Sequence, residues 1–87
     1  RALLRIKANL YTRSDNLIIH ASHTDYEYEH KAAIFYVNTN NGFTILNDGT
    51  KIKSVANRLL MFEAYKEHQS TNCTDERARV NINFNYF

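Results

Sequence analysis

Arg77-Ala78-Arg79-Val80-Asn81-Ile82-Asn83-Phe84-Asn85-Tyr86-Phe87 alternates without a break: Ala78, Val80, Ile82, Phe84 and Tyr86 fall on one side, Arg77, Arg79, Asn81, Asn83 and Asn85 on the other. Successive side chains of an extended chain point to opposite faces, so a period of two marks a strand and does not fit the 3.6-residue period of a helix. The polar side of this strand is either solvated or lines a polar pocket. Solvation is the commoner fate of such a face.

Moving back along the chain, residues 58–63 read as a buried strand, and Asn57 ahead of them suits a left-handed turn position where Gly is otherwise favoured. Asn47-Asp48-Gly49-Thr50 separates the apolar stretches 43–46 and 51–55, a hairpin pattern in which Asp-Gly supplies the positive φ of a tight turn. Residues 32–37 form a short apolar run that ends in Asn38-Thr39-Asn40-Asn41-Gly42, a turn cluster. Residues 3–11 alternate loosely and predict a half-buried strand, and 17–21 predict another short one. The polar stretches 12–16, 22–31 and 65–76 read as breaks and loops.

Six Tyr, five Phe and no Pro, with many β-branched residues, favour strands throughout. The expected fold is mainly β, with roughly seven or eight short strands in one barrel or double-sheet jelly roll across residues 1–87. Neither an internal repeat nor a linker divides it. No apolar run is long enough to cross a bilayer as a helix. A formal charge of +2 is too small to imply a nucleic-acid partner, which needs a concentrated basic face. The single Cys73 fits a reducing, cytoplasmic compartment, and Asn72-Cys73-Thr74 reads as a chance match to a glycosylation triplet.

His23 and Asp25 stand two apart beyond the predicted strand 17–21, so in extended chain both project to one side. One imidazole, one carboxylate and a second imidazole make the facial triad that binds non-haem Fe(II) and leaves coordination positions open. His68, a short loop beyond the strand 58–63, leads as the third ligand, with His20 and His30 in competition. His20 reads as a partly buried neighbour, and His30, among Glu27, Glu29 and Lys31, as part of a solvated loop. Tyr26 and Tyr28 flank a substrate or cover the edge of the core, and Cys73 has no recognisable nucleophile partner.

Taken in order, His23-x-Asp25, the strand with Tyr36 and Asn38, Gly42-x-Thr44, Arg58-Leu59-Leu60-Met61-Phe62, His68 and Arg77-Ala78-Arg79 resemble the 2-oxoglutarate/Fe(II)-dependent oxygenase superfamily, in its prolyl hydroxylase-like and nucleic-acid demethylase-like branches. The resemblance runs from about Asn9 to Phe87. It implies a cupin-like double-stranded β-helix, iron held by His23, Asp25 and His68, and an arginine fork on the far carboxylate of the co-substrate. The segment 79–84 is similar to the demethylase branch and favours Arg79, whereas the spacing of the prolyl hydroxylase branch favours Arg77. Asn9-Leu10-Tyr11 looks like the Asn-x-Tyr pair of the demethylase branch, and Asn81 joins it as a co-substrate contact. Gly42-Phe43-Thr44 is expected to shape a turn and touch no iron.

The resemblance omits the N-terminal helical layer that braces the major sheet in that superfamily, so the chain is either part of a longer protein or a minimal version. The implied activity is hydroxylation with release of succinate and CO₂, using Fe(II), O₂ and 2-oxoglutarate as co-substrate. The prime substrate is a protein, nucleobase or small molecule, with a protein side chain such as proline slightly favoured. Other expected partners are no membrane and, if the chain is complete, a second copy of itself. The rivals are a non-enzymatic β-sandwich module and a cupin-like metal-binding protein.

Overall fold

The structure, a computed structural model, describes residues 3–22, 29–64 and 66–86, without the Leu4 side chain. Seven strands run in order among the described residues: β1 (Leu3–Thr12), β2 (Lys31–Tyr36), β3 (Phe43–Ile45), β4 (Lys51–Lys53), β5 (Leu59–Glu63), β6 (Gln69–Ser70) and β7 (Ala78–Tyr86). They form two antiparallel sheets. The larger has the order β1-β7-β2-β5 and the smaller β4-β3-β6. β7 is thus central, paired to β1 from Leu3↔Tyr86 to Thr12↔Ala78 and to β2 from Lys31↔Tyr86 to Tyr36↔Asn81.

The local signals hold where turn chemistry dictated them. Gly49 has φ 89° in the β3–β4 turn, where Leu46 N–H donates to Thr50 O and Gly49 N–H to Leu46 O. Asn57 takes φ 70°, the left-handed position expected of it, and its N–H donates to Tyr36 O.

The orientation of the strands departs from what solvation would favour. On β7 the polar side is the buried one: Arg79, Asn81, Asn83 and Asn85 are all buried, and the apolar side is half-buried. The partner strands follow. Arg5, Lys7, Asn9 and Tyr11 of β1 turn inward toward a shared cleft, and Ile6 and Leu10 outward. The strand 58–63, expected to be buried, lies at the sheet's edge as β5, with Leu59 and Met61 mostly exposed. Among the described residues the buried apolar set is small, Ala32, Ala33, Ile34, Tyr36, Ala64 and Cys73, and hydrogen bonds replace apolar packing between the sheets.

Two further expectations are corrected. The stretch 17–21 makes an isolated bridge, Ile19↔Thr71, in place of a strand, because Leu17, Ile18 and Ile19 stay exposed and only one position meets a partner. The stretch 65–76, expected to be a polar loop, contains β6 and buries His68, Thr71, Asn72 and Cys73. It is buried because its polar groups are satisfied internally: Asn72 Oδ1 accepts from Ile18 N–H at 2.8 Å, and the Thr71 hydroxyl donates to Asn72 O at 2.8 Å. A buried, bonded Asn72 is also no acceptor for a glycan, as expected.

Candidate functional site

Between the sheets lies a polar cleft of about 210 Å³. Arg5, Lys7, Asn9 and Tyr11 line it from β1, Asn81 and Asn83 from β7, Thr44 from β3, and His68 and Ser70 from the β6 segment. Two cations and no carboxylate line it among the described residues, so its field favours an anion. Its volume is below the roughly 300–1,000 Å³ of sites for drug-sized ligands, which suits a small acid. Strand alternation builds the wall: every second residue of β1 and β7 is polar, and the antiparallel register sets Asn9 opposite Asn81 and Tyr11 opposite Arg79. Asn9 Nδ2 donates to Asn81 Oδ1 at 3.0 Å across that pair.

Arg79 lies behind this wall and is fully buried. Its Nη1 donates to Ser70 Oγ at 2.6 Å and to Thr71 O at 3.1 Å, and Nη2 donates to Thr44 Oγ1 at 3.3 Å. The guanidinium sits 5.4 Å from the Tyr11 ring centroid and 5.7 Å from that of Tyr36, within cation–π range. No carboxylate pairs with it among the described residues. Burial holds its pKa below the ordinary guanidinium range, opposed by nearby Tyr36, Tyr11 and Cys73. Thr44 Oγ1 also bonds the Tyr36 hydroxyl at 2.7 Å, and burial pushes the Tyr36 phenol up despite that bond and the nearby Arg79 and Arg58.

Gly42 belongs to the same cluster. A Cβ there would lie 2.5 Å from Asn72 O and 2.8 Å from Arg79 Nε. Gly42 and Thr44 therefore do more than shape a turn: one lets the arginine lie flat against the backbone and the other accepts its hydrogen bond. The resemblance had singled out both residues, but no spacing signal ties them to Arg79.

His68 is buried on the cleft with Nδ1 3.2 Å from Lys66 O, and its ring meets Phe62 edge-on at 5.0 Å. A carbonyl only accepts, so Nδ1 carries the proton and the neutral ring's lone pair is on Nε2, the arrangement a metal-ligating histidine uses. His23 and Asp25, the other two expected ligands, lie outside the described residues, as do Tyr26 and Tyr28. Among the described residues no group of three His, Cys, Asp or Glu could hold a metal ion.

Asn9, Tyr11 and Asn81 come together with His68 on the cleft as the resemblance implied, whereas Arg77 is exposed just before β7 and away from it. His20 is half-buried with its ring 5.3 Å from Tyr11. His30, expected in a solvated loop, is buried with Nε2 3.0 Å from Asn85 Oδ1, because it enters β2 on the inward side. Cys73 is buried and free.

The same arrangement of strands occurs in solved structures. A cupin protein from Bacteroides fragilis superposes with TM-score 0.66 at 16% identity, over 93% of this chain and 63% of that one. The fold is a cupin jelly roll. An RmlC-like cupin from Desulfovibrio desulfuricans matches with TM-score 0.56, also at 16% identity, over 92% of this chain and 81% of its own. No family model and no curated protein sequence matches. The chain thus spans less than two thirds of the Bacteroides cupin, and at this identity the likeness is one of fold. In cupin terms the cleft lies between the two sheets, with β1 and β7 along its wall and His68 on the opposing strand segment.

Proposed function

We propose that this cupin fold is the core of a 2-oxoglutarate/Fe(II)-dependent oxygenase, in which His68, His23 and Asp25 hold the metal and Arg79 supplies the positive charge for the co-substrate's far carboxylate. The observation that carries this reading is Arg79, a fully buried guanidinium with no carboxylate partner among the described residues. It is bonded to two hydroxyls, Thr44 and Ser70, that line the same cleft as His68. A buried cation without a counter-ion is costly, and an anionic ligand would relieve it.

The expected mode of contact changes with the geometry. Arg79 does not open onto the cleft, so a carboxylate would meet the Thr44 and Ser70 hydroxyls, polarised by the guanidinium behind them, and not the fork itself. Asn9 and Asn81 would orient the ligand from the opposite wall, and the Lys66 carbonyl on His68 Nδ1 would keep Nε2 available as a ligand. When bound, Fe(II) with the keto acid and O₂ supplies the oxidising chemistry, and the protein's part is to position and exclude water. Hydroxylation of a protein side chain, such as proline, remains the favoured use.

Anaerobic addition of Fe(II) and 2-oxoglutarate should give a weak visible charge-transfer band that His68→Ala abolishes; a band that persists in the variant removes His68 from the site. Arg79→Lys should weaken 2-oxoglutarate binding far more than iron binding, while Arg77→Ala leaves both unchanged. One observation favours a second reading. Arg79 already spends its two terminal nitrogens on the protein, as a structural residue would, which suits a metal-binding cupin that takes no 2-oxoglutarate. Iron uptake with no response to added 2-oxoglutarate, and no succinate formed in air, would select that alternative.

A further inference from the structure

We infer that the outer face of the four-stranded sheet is an interface for a second copy of this chain. The face is apolar from edge to edge: Leu3, Ile6 and Leu10 on β1 and Leu59 and Met61 on β5 are each between 53% and 65% exposed. Ala33, Phe35, Phe84 and Tyr86 floor a shallow trough of about 540 Å³ between Leu3 and the Leu59–Met61 edge. Single exposed apolar residues are ordinary, but a contiguous apolar sheet face marks an interaction site.

Charge and area point to the occupant. Every outward position of β1, β7, β2 and β5 is uncharged except Lys31 and Glu63, and those two meet each other at 3.5 Å at one end of the face. A partner of opposite charge would find nothing to recognise, whereas two copies can meet across a two-fold axis without placing like charges together. From strand spacing and rise, the face covers on the order of 500 Å² in plan, and side-chain relief brings its accessible area near the roughly 600 Å² per partner of the smallest stable interfaces. Two such sheets pack face to face about 10 Å apart, as in a sandwich. The metal cleft opens on the opposite side of this sheet, so pairing leaves it accessible.

Sedimentation equilibrium of the chain over a concentration series into the millimolar range should give a mass of twice 10.2 kDa. Met61→Lys on one edge strand and Leu10→Lys on the other should each weaken the dimer by about tenfold or more, as loss of a central apolar contact does. Lys51→Glu on the smaller sheet should leave it unchanged. Circular dichroism and thermal melting show whether each variant is folded, and because both residues are exposed, at least one folded lysine variant is expected. A wild-type chain that stays monomeric, or a dimer indifferent to both folded lysine variants, overturns the inference. So does open-ended association, or a monomer that floats with lipid vesicles, which would assign the face to a membrane.

Discussion

Two glycines, Gly42 and Gly49, are held for different reasons, and substitution separates them. Gly49 needs a positive φ and has open space around it, so Gly49→Ala should cost about 1 kcal/mol in urea unfolding through backbone conformation alone. Gly42 needs no unusual φ but has Arg79 and the Asn72 carbonyl against it, so Gly42→Ala must push them away and should cost about 1–3 kcal/mol. Only the Gly42 change should also weaken 2-oxoglutarate binding, since only it displaces Arg79. The Tyr36 phenol gives a pH test. Its pKa is raised in the folded chain, chiefly by burial, so folding favours the neutral form. That stability is full below the ordinary tyrosine pKa near 10 and is lost as pH rises through the higher folded value. The urea midpoint of wild type should therefore fall above about pH 10 more steeply than that of Tyr36→Phe. The sequence made Gly49 and Asn57 legible because turn chemistry is local, but Gly42's contact with Arg79 and the burial of His30 depend on residues far along the chain.

At the scale of elements, β7 shows both what alternation reveals and where it stops. The period of two placed the strand within a residue of its observed ends, yet it could not say which side faces in. The common expectation, polar side outward, is inverted here because the opposing sheet offers Ser70, Thr44 and Thr71, which bond Arg79, and because β1 presents its own polar side across the cleft. The same inversion turned β5 outward. β6 was illegible because two residues carry no period, and residues 17–21 looked like a strand because apolar residues also cluster where only one bridge forms. A polar wall between strands should behave as a coupled unit. Asn9→Ala removes the donor to Asn81 Oδ1, which is buried, so it should destabilise by about 1 kcal/mol or more, although Asn9 itself is half-exposed. Asn81→Ala leaves only the half-exposed Asn9, which water can satisfy. The double variant should cost clearly less than the sum of the two, measured as a coupling free energy in a double-mutant cycle.

For the whole molecule, the surface of 5377 Å² is close to the roughly 5,300 Å² that scaling assigns to a folded chain of this mass, so the unusual feature is the placement of apolar area and not its extent. Topology imposes a further constraint. β1 lies beside β7 with Leu3 opposite Tyr86, so the central strand of the larger sheet pairs with the far end of the chain, and neither can be completed by local contacts. Loop closure over that separation precedes any gain from the pairing, which puts refolding in the millisecond-to-second range typical of non-local β topologies. The same geometry supplies the test. Because β1 and β7 are antiparallel neighbours, a short linker can join residue 87 to residue 1 and turn their pairing into a hairpin. The chain can then be opened between Ala56 and Asn57, an exposed turn between β4 and β5, which lie in different sheets. If closing β1 onto β7 limits folding, the permuted chain should refold several-fold faster in stopped-flow experiments. Its unfolding rate should change little, since the native contacts broken on unfolding are the same. An unchanged refolding rate would place the barrier in the docking of the two sheets, where Arg79 must lose its water before Ser70, Thr71 and Thr44 can receive it.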